Sequence, residues 1–178
     1  DTITAPAAEG TYKLYVIDAV DNISIASNAT LTVDNTAPTI TSFVISPSGN
    51  GSYKIGQEFT ITANTSENIQ SGNSITVTLN NTTNTTVTLN VPGSSAGNTM
   101  EGTYTVASGD STSSLAITGF TIVEVKDIVG NDMTPNSLPT GTDMFGGSTI
   151  VIDGISPTNQ NSVFGTNIGP VKGGSIVN

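Results

Sequence analysis

The chain has 178 residues, of which 4 are Lys or Arg and 14 are Asp or Glu, giving a formal net charge of -10. Binding to nucleic acid is not expected, because neutralising phosphates requires clustered basic side chains. Cys and His are absent, which excludes disulfides, thiolate metal sites and catalysis by either side chain.

The sequence begins at Asp1 with a strand-like stretch and no signal peptide, which we interpret as a segment cut from a longer chain. No apolar run approaches the roughly 20 residues that a membrane-spanning helix needs. We therefore expect no membrane insertion in this segment.

Apolar and polar residues alternate over 11–18 and again over 24–33, which predicts two strands. Two strands cannot bury a core without further partners. Residues 1–36 are therefore predicted to be the C-terminal part of a larger module.

After Pro38 a complete module is predicted over residues 37–155, with turn signals between short alternating segments. The fold class expected is all-β: an immunoglobulin-like, antiparallel Greek-key β-sandwich, with one complete module flanked by partial modules. Residues 156–178 would begin a further module. The predicted strands of the complete module are 39–46, 57–63, 74–79, 85–91, 102–107, 114–117, 120–125 and 149–152.

Two landmarks occur twice in the same order, which indicates tandem modules. The segment 16–22, Val-Ile-Asp-Ala-Val-Asp-Asn, returns at 125–131 as Val-Lys-Asp-Ile-Val-Gly-Asn. The linker 33–38, Val-Asp-Asn-Thr-Ala-Pro, returns at 152–157 as Ile-Asp-Gly-Ile-Ser-Pro.

Oxygen-bearing side chains are predicted to meet where the linker enters the complete module. In such a sandwich the loops after the second and sixth strands return to the pole where the chain enters. Calcium (Ca²⁺) takes about six to eight oxygen ligands from carboxylates, amides and carbonyls. The sequence therefore predicts a calcium site at this junction, with the candidate ligands Asp34, Asn35, Glu67, Asp127, Asn131 and Asp132.

The same residues allow a second interpretation, in which they form turns and bind no metal. Asp-x-x-Gly-Asn is a good turn sequence by itself, and an Asp before a linker proline can simply end a strand. The equivalent loop at Asp18, Asp21 and Asn22 would serve a preceding junction, and Asp153 a following one.

Enzyme activity is not expected. The acids Glu101, Asp110 and Asp143 fall in predicted solvated turns rather than in a glycosidase pair. The pair Gly146 and Gly147 lacks the lysine and following helix of a phosphate-binding loop.

The segments 102–110, 115–117 and 125–131 together resemble the tandem bacterial immunoglobulin-like repeats of giant adhesins and other surface proteins. Residues 65–68, Thr-Ser-Glu-Asn, are similar to the step those repeats carry after their second strand. The linker is similar to theirs and, distantly, to cadherin linkers. One departure is Asp21, which stands where the repeats usually have Gly, so a different turn is expected there.

The resemblance implies an extracellular or cell-surface stalk, often with Ca²⁺ at module junctions, and supports Asp34, Glu67, Asp127 and Asn131 as ligands. We expect a non-enzymatic structural or adhesive segment whose partners are neighbouring modules of the same protein. The alternative is a subunit of an S-layer or extracellular filament, assembled by strand exchange between copies. A carbohydrate-binding module is disfavoured, because the chain has no Trp and only 4 Tyr.

Overall fold

The computed structural model describes residues 3–134 and 137–157. This part of the chain is built from strands, and its two helices are 3-10 turns at Gly141–Asp143 and Phe145–Gly147. Neither helical turn in these ranges is long and apolar enough to cross a membrane. The strands, in chain order, are β1 (Gly10–Lys13), β2 (Thr30–Val33), β3 (Ile40–Ser46), β4 (Gly51–Lys54), β5 (Glu58–Ile69), β6 (Ser74–Leu79), β7 (Thr86–Asn90), β8 (Gly97–Thr105), β9 (Ser111–Thr112), β10 (Ile117–Glu124) and β11 (Ile150–Asp153).

The larger sheet has six antiparallel strands in the order β10-β6-β7-β8-β5-β3. Its strands alternate buried apolar residues with outward-facing threonines, as β6 does from Ser74 to Leu79. β-branched Thr suits the half-exposed pleated surface of such a sheet. The binary pattern therefore places one face of every strand towards a common core.

A smaller sheet has three strands in the order β4-β11-β9. Its inner side contacts the larger sheet, where the rings of Tyr53 in β4 and Phe59 in β5 meet edge to face with centroids 4.8 Å apart. Ile150 and Ile152 of β11 are buried in the same cluster. The observed all-β architecture, with its largely antiparallel sheets, is compatible with the predicted sandwich.

Pairing in the smaller sheet departs from the antiparallel prediction, because β11 runs parallel to β4. Strand β4 itself was not predicted. It follows a Pro-Ser-Gly-Asn-Gly turn sequence, and Tyr53 is its single large apolar side chain, so periodicity gives no signal there.

The predicted strands 11–18 and 24–33 are shorter in the structure, where β1 and β2 form a two-stranded sheet. Beyond Lys13, backbone and serine hydroxyl partners are mixed. The N–H groups of Leu14 and Val16 donate to the Oγ atoms of Ser27 and Ser24, whereas the N–H groups of these two serines donate to the backbone oxygens of Leu14 and Val16. The apolar side chains here are solvent-exposed, and Ile25 retains 93% of its accessible surface. The predicted module boundaries at 36 and 155 remain predictions, and most of the predicted segment 156–178 lies outside the described residues.

Candidate metal centre at the linker

Three carboxylates from separate parts of the chain come together at the linker. Asp34 follows β2, Glu67 lies in β5, and Asp127 follows β10. One carboxylate oxygen of each lies within 4.8 Å of those of the other two. The structure thus brings together three of the six predicted ligands, at a spacing that a shared cation would allow.

Asp127 is fully buried and is held by its own loop. Its Oδ1 accepts hydrogen bonds from the backbone N–H groups of Val129, Gly130 and Asn131 at 2.9, 2.6 and 2.8 Å. Burial alone would raise the pKa of Asp127, but these bonds and one from the Asn131 side chain outweigh it and lower the pKa. The carboxylate is therefore ionised and fixed in orientation. Gly130 has a φ of 104°, a conformation that L side chains rarely adopt.

Glu67 lies where the pairing of β5 with β8 is interrupted between Asn64 and Ile69. The sequence predicted a loop here, whereas β5 continues to Ile69 with this irregularity. At an irregularity of this kind, a side chain points in a direction that differs from the one strict alternation along the strand would give it.

The Oε1 atom of Glu67 is buried and has no hydrogen-bond partner among the residues that the structure describes. Burial raises the pKa of Glu67, and the charges of Asp127, Asp34 and Glu9 raise it further. A buried carboxylate oxygen without a donor is costly to maintain. The site therefore holds more negative charge than its protein donors compensate.

Asn131 joins the loop to the linker through its side-chain amide. Its Nδ2 donates to the backbone oxygens of Asp34 and Thr36 at 3.0 and 3.2 Å and to Oδ2 of Asp127 at 2.7 Å. The amide nitrogen, rather than the oxygen, faces these acceptors. Asn131 thus positions the carboxylates, and this geometry does not use its oxygen as a ligand.

The other two predicted ligands point elsewhere. The exposed Asn35 donates from Nδ2 to the backbone oxygen of Ala7 at 3.0 Å. Asp132 forms an ion pair with Lys126, and its side chain is 75% exposed. Neither belongs to the group of three carboxylates. Neighbouring positions in a turn diverge in direction, which sequence spacing alone does not reveal.

Two contributors were missed from sequence. Glu9, directly before β1, accepts from the hydroxyl of Thr36 at 3.2 and 3.0 Å and adds negative charge near Glu67. Gln70 donates from Nε2 to the backbone oxygen of Asp127 at 2.8 Å. Both residues lie outside the repeated landmarks, so the repeat carries no signal for them.

Asp110, expected in a solvated turn, is instead fully buried. Its carboxylate accepts hydrogen bonds from the side chain of Thr83, the N–H groups of Asn84 and Ala107, and the hydroxyl of Tyr104. Burial would raise the pKa of Asp110, but these donors lower it overall. Every carboxylate oxygen here has donors, so this cluster is a structural network and differs in that respect from Glu67.

The carboxylates of Asp34, Glu67 and Asp127 offer hard oxygen donors, the type that Ca²⁺ prefers. Used in mono- and bidentate modes, they could fill roughly half or more of a calcium coordination sphere, with water completing it. Comparison with known proteins found no matching family model, no curated relative and no similar solved structure.

Proposed function

We propose that this chain is a non-enzymatic structural or adhesive segment of a large, repetitive bacterial surface protein. In this proposal it is an extracellular stalk of immunoglobulin-like Greek-key modules, and Ca²⁺ stiffens the junction between them. The all-β architecture supports this assignment, as does the repetition of the loop and linker landmarks along the chain.

The observation that carries the proposal is the meeting of Asp34, Glu67 and Asp127 within 4.8 Å. Asp34 belongs to the linker, whereas Glu67 lies in β5 of the larger sheet and Asp127 lies in the loop after β10. A cation bound by all three would tie the linker to the module at a fixed angle. The buried, unpartnered Oε1 of Glu67 supports a positively charged occupant in particular.

The turn interpretation accounts for Asp127, whose oxygens are occupied by donors of its own loop. It does not account for Glu67, which caps no turn. A carboxylate oxygen buried beside two further carboxylates raises the free energy of the folded chain unless a cation is present. We therefore favour the metal interpretation over a turn alone.

A second candidate, a subunit of an S-layer or extracellular filament, is favoured by the surface near the N-terminus. Several large apolar side chains there are exposed, among them Ile3, Val16, Val20 and Ile25. A groove of about 750 Å³ runs between the segment 3–6 and strands β1 and β2. Exposed apolar surface of this kind indicates association, and an incomplete sheet is a receptor for a donated strand.

Small-angle X-ray scattering with and without Ca²⁺ tests the stalk proposal. We expect Ca²⁺ to narrow the distribution of particle lengths in the wild-type chain and to leave the Glu67→Gln variant unchanged. Asp132→Asn, which alters an exposed carboxylate outside the group of three, is the matched control and should respond as wild type does. Scattering profiles that are identical with and without Ca²⁺ would contradict the proposal. Growth of ordered polymers would favour the filament instead.

A further inference from the structure

The loop containing Asp18 and Asn22 is a structural copy of the loop containing Asp127 and Asn131. In the first loop, Oδ1 of Asp18 accepts from the N–H groups of Val20 and Asn22, both at 2.9 Å, and Nδ2 of Asn22 donates to Oδ2 of Asp18 at 2.8 Å. The same bonds occur in the second loop.

The backbone of the two loops also agrees. The N–H of the Asp donates to the carbonyl oxygen of the Asn at 3.0 Å in the first loop and 3.1 Å in the second. Asp21 has a φ of 65°, so it occupies the left-handed conformation at the position of Gly130. The different turn expected from this substitution is therefore not found. Asp is one of the few residues besides Gly that tolerate this region.

The linker is duplicated in the same structural sense. Oδ1 of Asp34 accepts from the N–H of Thr36 at 3.0 Å, and Oδ1 of Asp153 accepts from the N–H of Ile155 at 3.2 Å. Each bond closes an Asx turn that sets the direction of the next two residues. The second linker is also fixed at Gly154, which donates to the backbone oxygen of Asp110 at 2.7 Å.

Among the described residues, only one of the two loops is hydrogen-bonded to one of the two linkers. Asn131 donates to the carbonyl oxygens of Asp34 and Thr36, whereas no hydrogen bond in the described ranges joins Asn22 to a linker. The first loop is fully exposed, with Val20 at 76% of its accessible surface, and the second linker exposes Ile155 at 60%. Within the described ranges, the first loop and the second linker each therefore lack the hydrogen-bonded partner that Asn131 and the first linker provide for each other.

We propose that the loop at Asp18–Asn22 of one copy of this chain binds the linker at residues 152–157 of a second copy. The side-chain amide of Asn22 donates hydrogen bonds to the carbonyl oxygens of residues 153 and 155, as Asn131 donates to those of Asp34 and Thr36. Both contacts run in the same direction along the chain, because in each of them the loop binds the linker that precedes the loop's own module. The contact goes beyond the proposed function, because it joins copies end to end and does not require the cation.

The test is a titration of the isotope-labelled whole chain with a synthetic peptide of residues 150–157, in EGTA, followed by NMR. We expect saturable shifts of the Asn22 side-chain amide and the Val20 N–H, with the Asn131 amide unmoved because its own linker occupies it. A peptide carrying Asp153→Ala should bind about fivefold more weakly, the effect expected for loss of one hydrogen bond.

Variants of the chain distinguish this contact from others. Asn22→Ala and Asn22→Asp should both abolish the shifts, whereas the exposed Asn28→Ala should not change them. Analytical ultracentrifugation of the whole chain should show concentration-dependent association that Asn22→Ala removes. Peptide binding that survives both Asn22 variants, or no binding at all, would overturn the proposal. Because EGTA is present throughout, failure here would leave the calcium proposal standing, and the reverse also holds.

Discussion

The side-chain amide of Asn131 donates to the backbone oxygen of Asp34 at 3.0 Å, across a sequence separation of 97 residues. This bond attaches the linker to the loop after β10. The same amide donates to Asp127, so one side chain aligns the linker with a buried carboxylate. The position of Asp34 relative to Asp127 and Glu67 therefore depends on Asn131.

Replacing Asn131 by Asp should separate two effects on stability: the hydrogen bonds by which Asn131 positions the linker, and the binding of Ca²⁺ by the carboxylates. The new oxygen would face the acceptors on Asp34, Thr36 and Asp127, so in EGTA we expect a loss of about 1–3 kcal/mol in the free energy of unfolding. Ca²⁺ should restore much of that loss, because the added carboxylate is a further ligand. Chemical denaturation with Asp132→Asn as the control measures both effects. Equal loss with and without Ca²⁺ would contradict the prediction.

The pH dependence of stability should reveal the strain at Glu67. Its pKa is raised from 4.5 by burial and by the charges of Asp127, Asp34 and Glu9. The folded chain therefore binds this proton more tightly than the unfolded chain, and the contribution of Glu67 to stability falls as pH rises from 4.5 through the raised pKa.

In EGTA at pH 7, Glu67→Gln should thus be more stable than wild type, with the difference shrinking as the pH is lowered. Thermal unfolding across this range measures it. Saturating Ca²⁺ at pH 7 should reverse the order, because the variant has lost a ligand. Parallel curves for the two proteins in EGTA would rule out strain at Glu67.

Close packing at Gly102 in β8 should make this position intolerant of a side chain. A Cβ atom there would lie 2.2 Å from the carbonyl oxygen of Thr88 and 2.7 Å from a methyl group of Leu89. Gly102→Ala should cost about 1–3 kcal/mol or more in stability. Gly119→Ala in β10 is the matched control, since nothing lies within 4 Å of its Cβ position, and it should be close to neutral. Similar unfolding midpoints for the two variants would refute the packing argument.

The buried network around Asp110 should be worth more than any single bond within it. Tyr104→Phe removes the hydroxyl that donates to Asp110 at 2.9 Å and accepts from Asn81 at 2.8 Å, costing about 1–2 kcal/mol. Asp110→Asn turns an amide towards donors and should cost roughly 2–4 kcal/mol. Asp143→Asn, on an exposed turn, should change stability by less than about 0.5 kcal/mol. A greater loss for Tyr104→Phe than for Asp110→Asn would contradict this ordering.

Strands with clear alternation were predictable from the sequence. The observed bounds of β6, Ser74–Leu79, match the prediction, and those of β7 and β11 lie within a residue or two. Strand β4 was missed because a four-residue segment with one aromatic residue has no measurable period. Its parallel pairing with β11 depends on tertiary contacts between distant segments, which local pattern does not encode.

The candidate site was predictable to the level of chain segments, but not of atoms. Topology and the repeated landmarks indicated that Asp34, Glu67 and Asp127 would converge. Which atom of Asn131 faces the linker, and where Asp132 points, depend on side-chain rotamers. The position of the unpartnered oxygen of Glu67 depends on the interrupted pairing of β5 with β8. No pattern in the sequence predicts this interruption.

Isothermal titration calorimetry of Ca²⁺ into the metal-free chain measures whether Asp34, Glu67 and Asp127 bind this ion. We expect one saturable binding event for wild type and for Asp132→Asn, lost or weakened at least tenfold in Glu67→Gln. Wild type without saturable heat, or Glu67→Gln binding with the same affinity as wild type, would contradict a calcium site formed by Asp34, Glu67 and Asp127.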